Sequence, residues 1–256
     1  MTRHGFFGGC LMRILITNDD GLFFPGLTIL REELSEIAEV YVVAPARERS
    51  GTSNAITIYD DIYVHQENEH TLMVEGFPAD CVNIALYGGF FHKPFDLVVS
   101  GINKGVNMGA DVFYSGTVGA ARHAYVHGIS GIAISSGHLA ADGDFHSVAR
   151  FMKEIIPGLH ASLKQPYLVN INYPDHDKIH GIKWTKLGTR KYRDSYRRDN
   201  RGENAWFLNL GGSFLGYEEE EGTDFEAFYS HWISVTPLTI DATDYKTLAN
   251  MATERK

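Results

Sequence analysis

Asp19 and Asp20 stand side by side directly after the apolar run Arg13-Ile-Leu-Ile-Thr17 and directly before Gly21. Neighbouring carboxylates repel one another unless a cation lies between them. In a flat strand the two would face opposite sides of a sheet, but Gly21 permits a turn that lets both point outward. The oxygen donors of Ser50 and Asn103 suit a hard divalent ion, Mg2+ or Mn2+, better than zinc. A helix N-cap followed by a solvated loop is the competing account, since Asp is favoured in both places. A second candidate is Ser115-Gly116-Thr117, ahead of the helix-forming run 118–122. Ser115 or Thr117 would cap that helix. The same N–H groups and dipole make its start an anion site, and Gly116 admits a phosphate close to the backbone. No Gly-Lys-Ser/Thr follows a Gly-rich run, so this is not a P-loop. A hard cation facing a helix N-terminus is the outline of a phosphoryl-transfer site. The cation polarises a phosphate oxygen and acidifies water, and the helix N–H groups offset charge on the equatorial oxygens.

The elements that must position these residues alternate along the chain. Strand-length apolar runs at 13–17, 40–44, 97–100, 132–135 and 167–171 are separated by helical patterns at 27–37, 78–87, 114–126 and 145–163. That alternation predicts parallel pairing with right-handed crossovers, a doubly wound α/β sheet. Ligands of such sheets bind outside the carboxyl ends of the strands. The stretches found there are Asn18-Asp-Asp-Gly21, 45–54, 101–109 and Tyr114-Ser-Gly-Thr117, all polar or Gly-rich. Residues 56–64 and 71–74 alternate more weakly and predict a β-hairpin. Residues 189–201 carry Arg190, Lys191, Arg193, Arg197, Arg198 and Arg201 and predict an exposed arm. A late strand is expected at 232–236 and a last helix at 245–251.

The chain has 256 residues, 44% of them hydrophobic, and a net charge of −9. It can bury a large core, and its acidity argues against long nucleic acid or an anionic membrane as partner. No apolar run reaches the roughly 18 residues of a membrane span. Two cysteines, Cys10 and Cys81, make no disulfide framework and fit a reducing cytoplasm. Residues 1–11 are too Gly-broken for a signal peptide. They are expected to be a disordered extension, either a frayed tail or sequence preceding a start at Met12. Residues 12–256 are expected to form one domain with an arm at about 187–211.

Other features have plainer accounts. His123 and His127 share a helix face but lack a His-Glu-x-x-His pattern, and they read as packing or surface residues. Asp142-Gly-Asp144 reads as a turn before a helix, Glu218 to Glu221 as a solvated loop, and Cys81 as core. The adjacent acids followed by Gly21 do not match the Asp-x-Asp of a phospho-aspartate phosphatase. A receiver domain, with its acidic pair, would be only about 120 residues.

Five ordered motifs carry a resemblance: Met12-Arg-Ile-Leu-Ile-Thr-Asn-Asp-Asp-Gly21, Val42-Val-Ala-Pro-Ala-Arg-Glu-Arg-Ser-Gly-Thr-Ser-Asn54, Gly76-Phe-Pro-Ala-Asp-Cys-Val82, Val98-Val-Ser-Gly-Ile-Asn103 and Tyr114-Ser-Gly-Thr-Val118. With Gly222-Thr-Asp224 and Val235-Thr-Pro-Leu238, the sequence resembles the SurE (survival protein E) family of metal-dependent 5'/3'-nucleotidases over residues 12–241. The resemblance implies a three-layer αβα, Rossmann-like, parallel-rich sheet with β-hairpin appendages and a C-terminal oligomerisation arm. It implies one divalent cation per subunit, Mg2+ or Mn2+, on Asp19, Asp20, Ser50 and Asn103. Asn107, Ser115, Gly116 and Thr117 would line the phosphate side. Expected substrates are nucleoside 5'- and 3'-monophosphates, with short polyphosphate used by some members, and the expected assembly is a cytoplasmic homodimer or homotetramer. Asp19 or Asp20 would act as base toward an in-line water. The alternative is a non-catalytic sensor of metal and phosphate.

Overall fold

Strand β1 (Met12–Thr17) is apolar along nearly its whole length because it is covered on both faces and paired on both edges. The computed structural model describes residues 11–139 and 145–253. Parallel partners flank β1 on either side, β2 (Ala38–Pro45) and β5 (Leu97–Lys104). Beyond β5 follow β6 (Ser130–Ser136) and β7 (Leu168–Tyr173), also parallel. Near the other edge, β4 (Thr71–Val74) pairs parallel with β2 and antiparallel with β3 (Val64–Asn68). Beyond β7 lie β11 (Ile233–Pro237), antiparallel to it, and β8 (Ile182–Trp184). The nine-stranded order is therefore β3-β4-β2-β1-β5-β6-β7-β11-β8.

Helices α1 (Pro25–Leu34) and α4 (His146–Ser162) cover one face, where Leu27, Leu30 and Leu34 meet Val148 and Met152. Each such buried side chain contributes roughly 1.5–3 kcal/mol. Helices α2 (Pro78–Tyr87) and α3 (Gly116–Val126) cover the other, through Cys81, Val82, Ala120 and Ala124. Proline opens both α1 and α2, at the one helical position where its missing N–H costs nothing. Cys81 is core, as its pattern predicted.

Two expectations change. The hairpin expected at 56–64 and 71–74 is β3–β4, and residues 56–63 form no strand. Ile58 is 69% exposed, while the Thr57 amide and hydroxyl both donate to the Asp80 carboxylate at 2.8 Å. That segment is thus tied to the start of α2 instead of pairing with a strand, and β4 joins the main sheet rather than hanging from it. The arm expected at about 187–211 is a hairpin of β9 (Arg190–Gly202) and β10 (Ala205–Tyr217) in a sheet of its own, running on to Tyr217. The apolar β10 pairs with the polar β9 and leaves Phe207, Leu208 and Leu210 exposed. Helices α5 (Asp224–Tyr229) and α6 (Tyr245–Thr253) complete the chain. Residues 1–10 and the stretch Asp142-Gly-Asp144, expected to be a turn, lie outside the described residues. No helix among the described residues is long and apolar enough to cross a membrane.

Candidate active site

The turn after β1 is built by Asn18. Its buried side chain accepts from the Gly21 N–H at 3.1 Å and donates to the Gly21 carbonyl at 2.9 Å. Gly21 has φ +105°, a conformation that costs a side-chain-bearing residue dearly. The two acids consequently diverge. Asp19, 4% exposed, turns to α3, where Oδ1 accepts the Thr117 hydroxyl at 2.5 Å. Burial pushes its carboxyl above the ordinary value, opposed by the Thr117 hydroxyl and backbone amide. Asp20 turns to the end of β5. Its Oδ2 lies 3.4 Å from the Lys104 N–H and its Oδ1 3.7 Å from the Lys104 ammonium. The Asp20 side chain is only 2% exposed, and Oδ1 is buried without a hydrogen-bond partner. Burial and the neighbouring Asp19 push the Asp20 carboxyl up to about 6.

The loop after β2 brings Ser50. It is pinned at three points: the Arg49 N–H donates to the Asp19 carbonyl at 2.7 Å, the Ser53 N–H to the Tyr114 carbonyl at 2.9 Å, and the Ser53 hydroxyl to the Phe113 carbonyl at 2.6 Å. Ser50 itself donates to Glu48 at 2.8 Å. Asn103, at the end of β5, spends its Nδ2 on the Gly105 carbonyl at 2.7 Å, so its Oδ1 is left to accept. Asn107 is gripped from β6 and β7. Its N–H donates to Asn172, its Nδ2 to Ser135, each at 2.8 Å, and its carbonyl accepts from Asn170 and Asn172. One Nδ2 hydrogen is left over. Ser115 caps α3, accepting the Val118 N–H at 3.1 Å.

Asp19, Asp20, Ser50, Asn103, Asn107 and Ser115 all line one pocket of about 290 Å3. Gly116 and Thr117 meet it through Asp19. A Cβ on Gly116 would lie 3.0 Å from the Asp19 carboxylate, and the fully buried Thr117 hydroxyl is committed to that carboxylate. The remaining walls are Gly51, Lys104, Asp111, Tyr114 and Tyr192. Of these, Lys104 follows a register shift in β5, and Tyr192 belongs to the arm. Neither is signalled by sequence spacing. A larger hollow of about 670 Å3 lies between α4 and β8, but Phe151, Ile155, Leu159 and Trp184 make it apolar; the chemistry belongs to the smaller one.

The residues present fit a hard cation. Two carboxylates, a hydroxyl and an amide oxygen form an all-oxygen donor set, and the bare Oδ1 of buried Asp20 is the group such an ion would satisfy. Among the described residues no three His, Cys, Asp or Glu side chains are grouped to hold a metal. His123 and His127 pack ring to ring at 4.6 Å, and His127 meets the Tyr87 hydroxyl at 2.9 Å.

Fold and pocket define a class: a three-layer α/β protein with an acidic, amide-lined site at the carboxyl ends of parallel strands. The family model described as Survival protein SurE matches residues 14–194. The chain belongs to this family. It is 46% identical over 243 residues to the 5'-nucleotidase SurE of Leptospira interrogans, covering 94% of this chain and 97% of that protein. With the 5'-nucleotidase SurE of Methylobacillus flagellatus it shares 40% over 239 residues, 91% of this chain and 95% of that one. The crystal structure of the SurE protein from Aquifex aeolicus superposes with a TM-score of 0.82 at 33% identity, covering 95% of this chain and all of that one.

Proposed function

We propose that the protein is a divalent-cation-dependent 5'-nucleotidase that hydrolyses nucleoside monophosphates to nucleoside and phosphate. The activity named for the relatives supports it. The observation that carries it is the pairing of Asp19 and Asp20 in one pocket with the start of α3, Asp20 Oδ1 lacking a hydrogen-bond partner. Asp19, Asp20, Ser50 and Asn103 would hold Mg2+ or Mn2+, which when bound supplies Lewis acidity toward a phosphate oxygen and water. The turn Ser115–Thr117 and the spare Asn107 hydrogen flank the phosphate, donating to its oxygens as charge develops. Thr117 acts there by holding Asp19. Asp20, which unlike Asp19 holds no hydroxyl donor, is the better placed of the two acids to take a proton from water attacking phosphorus in line. Lys104 balances the charge of the acid pair.

The reading includes 3'-monophosphates and the end groups of short polyphosphate as further substrates. It takes residues 12–256 as one domain, and the free, buried thiol of Cys81 supports a cytoplasmic setting. It also takes the exposed hairpin β9–β10 as a contact between copies in a homodimer or homotetramer. The test is phosphate release from 5'-AMP, 3'-AMP and tripolyphosphate with Mg2+, with Mn2+ and with chelator. Cation-dependent release from 5'-AMP is expected. Binding of AMP without turnover under either ion would leave a sensor instead.

A further inference from the structure

The root of the arm is a wall of the pocket, and aromatic rings stand at its rim. Tyr192 of β9 and Tyr114 both line the cavity whose floor holds Asp19 and Asp20. Tyr192 is 47% and Tyr114 66% exposed. The Tyr192 ring is not loosely hung. The Tyr192 hydroxyl donates to one oxygen of the Asp111 carboxylate, and Arg190 binds the other. The Arg190 guanidinium lies 4.8 Å from the Tyr192 ring centroid. The Asp224 carboxylate accepts both the Gly109 and the Gly188 N–H at 2.8 Å, so the turn bearing Asp111 and the stretch leading into β9 share one buried anchor. The Tyr114 carbonyl is held by the Ser53 N–H.

We propose that Tyr192 and Tyr114 form the platform on which the nucleobase of a nucleoside monophosphate stacks. The inference rests on the reading above, in which the phosphate goes to the acid pair. A phosphomonoester placed phosphate-first leaves its organic group at the rim, beside these two rings. Every base has a π-face, so a stacking platform binds purines and pyrimidines without reading their edges. A pinned phenol ring also loses little freedom when it is covered.

The test compares kcat/KM for AMP and for ribose 5-phosphate, which keeps the phosphate and sugar but has no base. It uses the full chain with Mg2+ and the variants Tyr192→Ala, Tyr192→Phe and Tyr114→Ala. Tyr192→Ala should lower the AMP to ribose 5-phosphate ratio about tenfold, mainly through KM for AMP. Tyr192→Phe keeps the ring and should keep most of the ratio, although it loses the Asp111 bond. Tyr114→Ala, at an exposed site that folding tolerates, should lower the ratio in the same direction. An unchanged ratio in both alanine variants overturns the platform, as does an equal loss on both substrates, which would make Tyr192 a structural prop. Adenosine binding by calorimetry separates the two readings. If the wild type hydrolyses neither ester, the nucleotidase reading fails. The platform then stands if Tyr192→Ala weakens adenosine binding about tenfold, and falls if it does not.

Discussion

The Thr117 hydroxyl donates to Asp19 Oδ1 across 2.5 Å, joining the first turn of α3 to the end of β1. Both residues are buried, so bulk water is a poor replacement for that donor. Thr117→Val keeps the shape and deletes the hydrogen bond. A bond to a charged group is worth about 1.5–3 kcal/mol, so kcat/KM for AMP should fall about tenfold or more, while Thr117→Ser should stay near wild type. Equal activity of the Val and Ser variants would show that Asp19 needs no orienting donor.

Asp20 sets a pH dependence whose sign follows from its environment. Its carboxyl is raised from 3.8 to about 6, so the folded, cation-free protein holds that proton more tightly than the unfolded chain does. The corresponding stability is fully present below 3.8 and is lost as pH rises through about 6. In chelator, the urea midpoint should therefore drop between about pH 4 and about pH 7, and the drop should be smaller in Asp20→Asn. Added Mg2+ should reverse it at the upper end, because the ion needs the deprotonated acid. Identical pH profiles for the two proteins would contradict this placement of Asp20.

Much of this site was legible because parallel strands deliver their loops to one edge. Each segment following a buried apolar run was a candidate, and Asp19, Asp20, Ser50, Asn103, Asn107 and Ser115 do meet in one pocket. What escaped were pairings set by distant parts of the chain. Asp111 and Tyr192 are 81 residues apart and meet where Asp224 holds both neighbourhoods and Arg190 binds Asp111 as well. The extent of the arm was hidden for a different reason. The expected arm stops at about 211, inside the apolar stretch 205–217, whereas in the structure β10 runs on to Tyr217 and leaves Phe207, Leu208 and Leu210 exposed. Helix and strand periodicity report burial within a pattern, not which surface buries it.

Gly119 should oppose its helix propensity. It lies inside α3, where alanine would ordinarily be better by about 1 kcal/mol. A Cβ there would sit 2.1 Å from the Ser53 carbonyl, in the loop that carries Ser50. Gly119→Ala must push that loop or the helix aside, and overpacking costs typically about 1–3 kcal/mol. Chemical denaturation should show a net loss of stability, with raised Mg2+ demand in turnover as Ser50 moves. A variant more stable than wild type would mean that the loop yields freely.

Asp224 offers the strongest test of how the pocket wall is assembled. Its buried carboxylate accepts three backbone amides, those of Gly109, Gly188 and Phe225, at 2.8–2.9 Å. Burial raises its carboxyl and these amides lower it, with burial the larger influence. Asp224→Ala leaves three buried N–H groups without an acceptor, and each orphaned group costs about 1–3 kcal/mol. Asp224→Asn keeps one oxygen acceptor and fills the same space, so it should lose distinctly less. The expected order of unfolding midpoints is wild type, then Asn, then Ala. Hydrogen exchange at the Gly109, Gly188 and Phe225 amides should rise in the same order, ahead of any change at the amides of β1 and β5, because those three amides lose a partner while the central sheet keeps its ladder. Uniform exchange across the sheet and the wall would show instead that Asp224 supports the whole fold and not the seam between turn and arm.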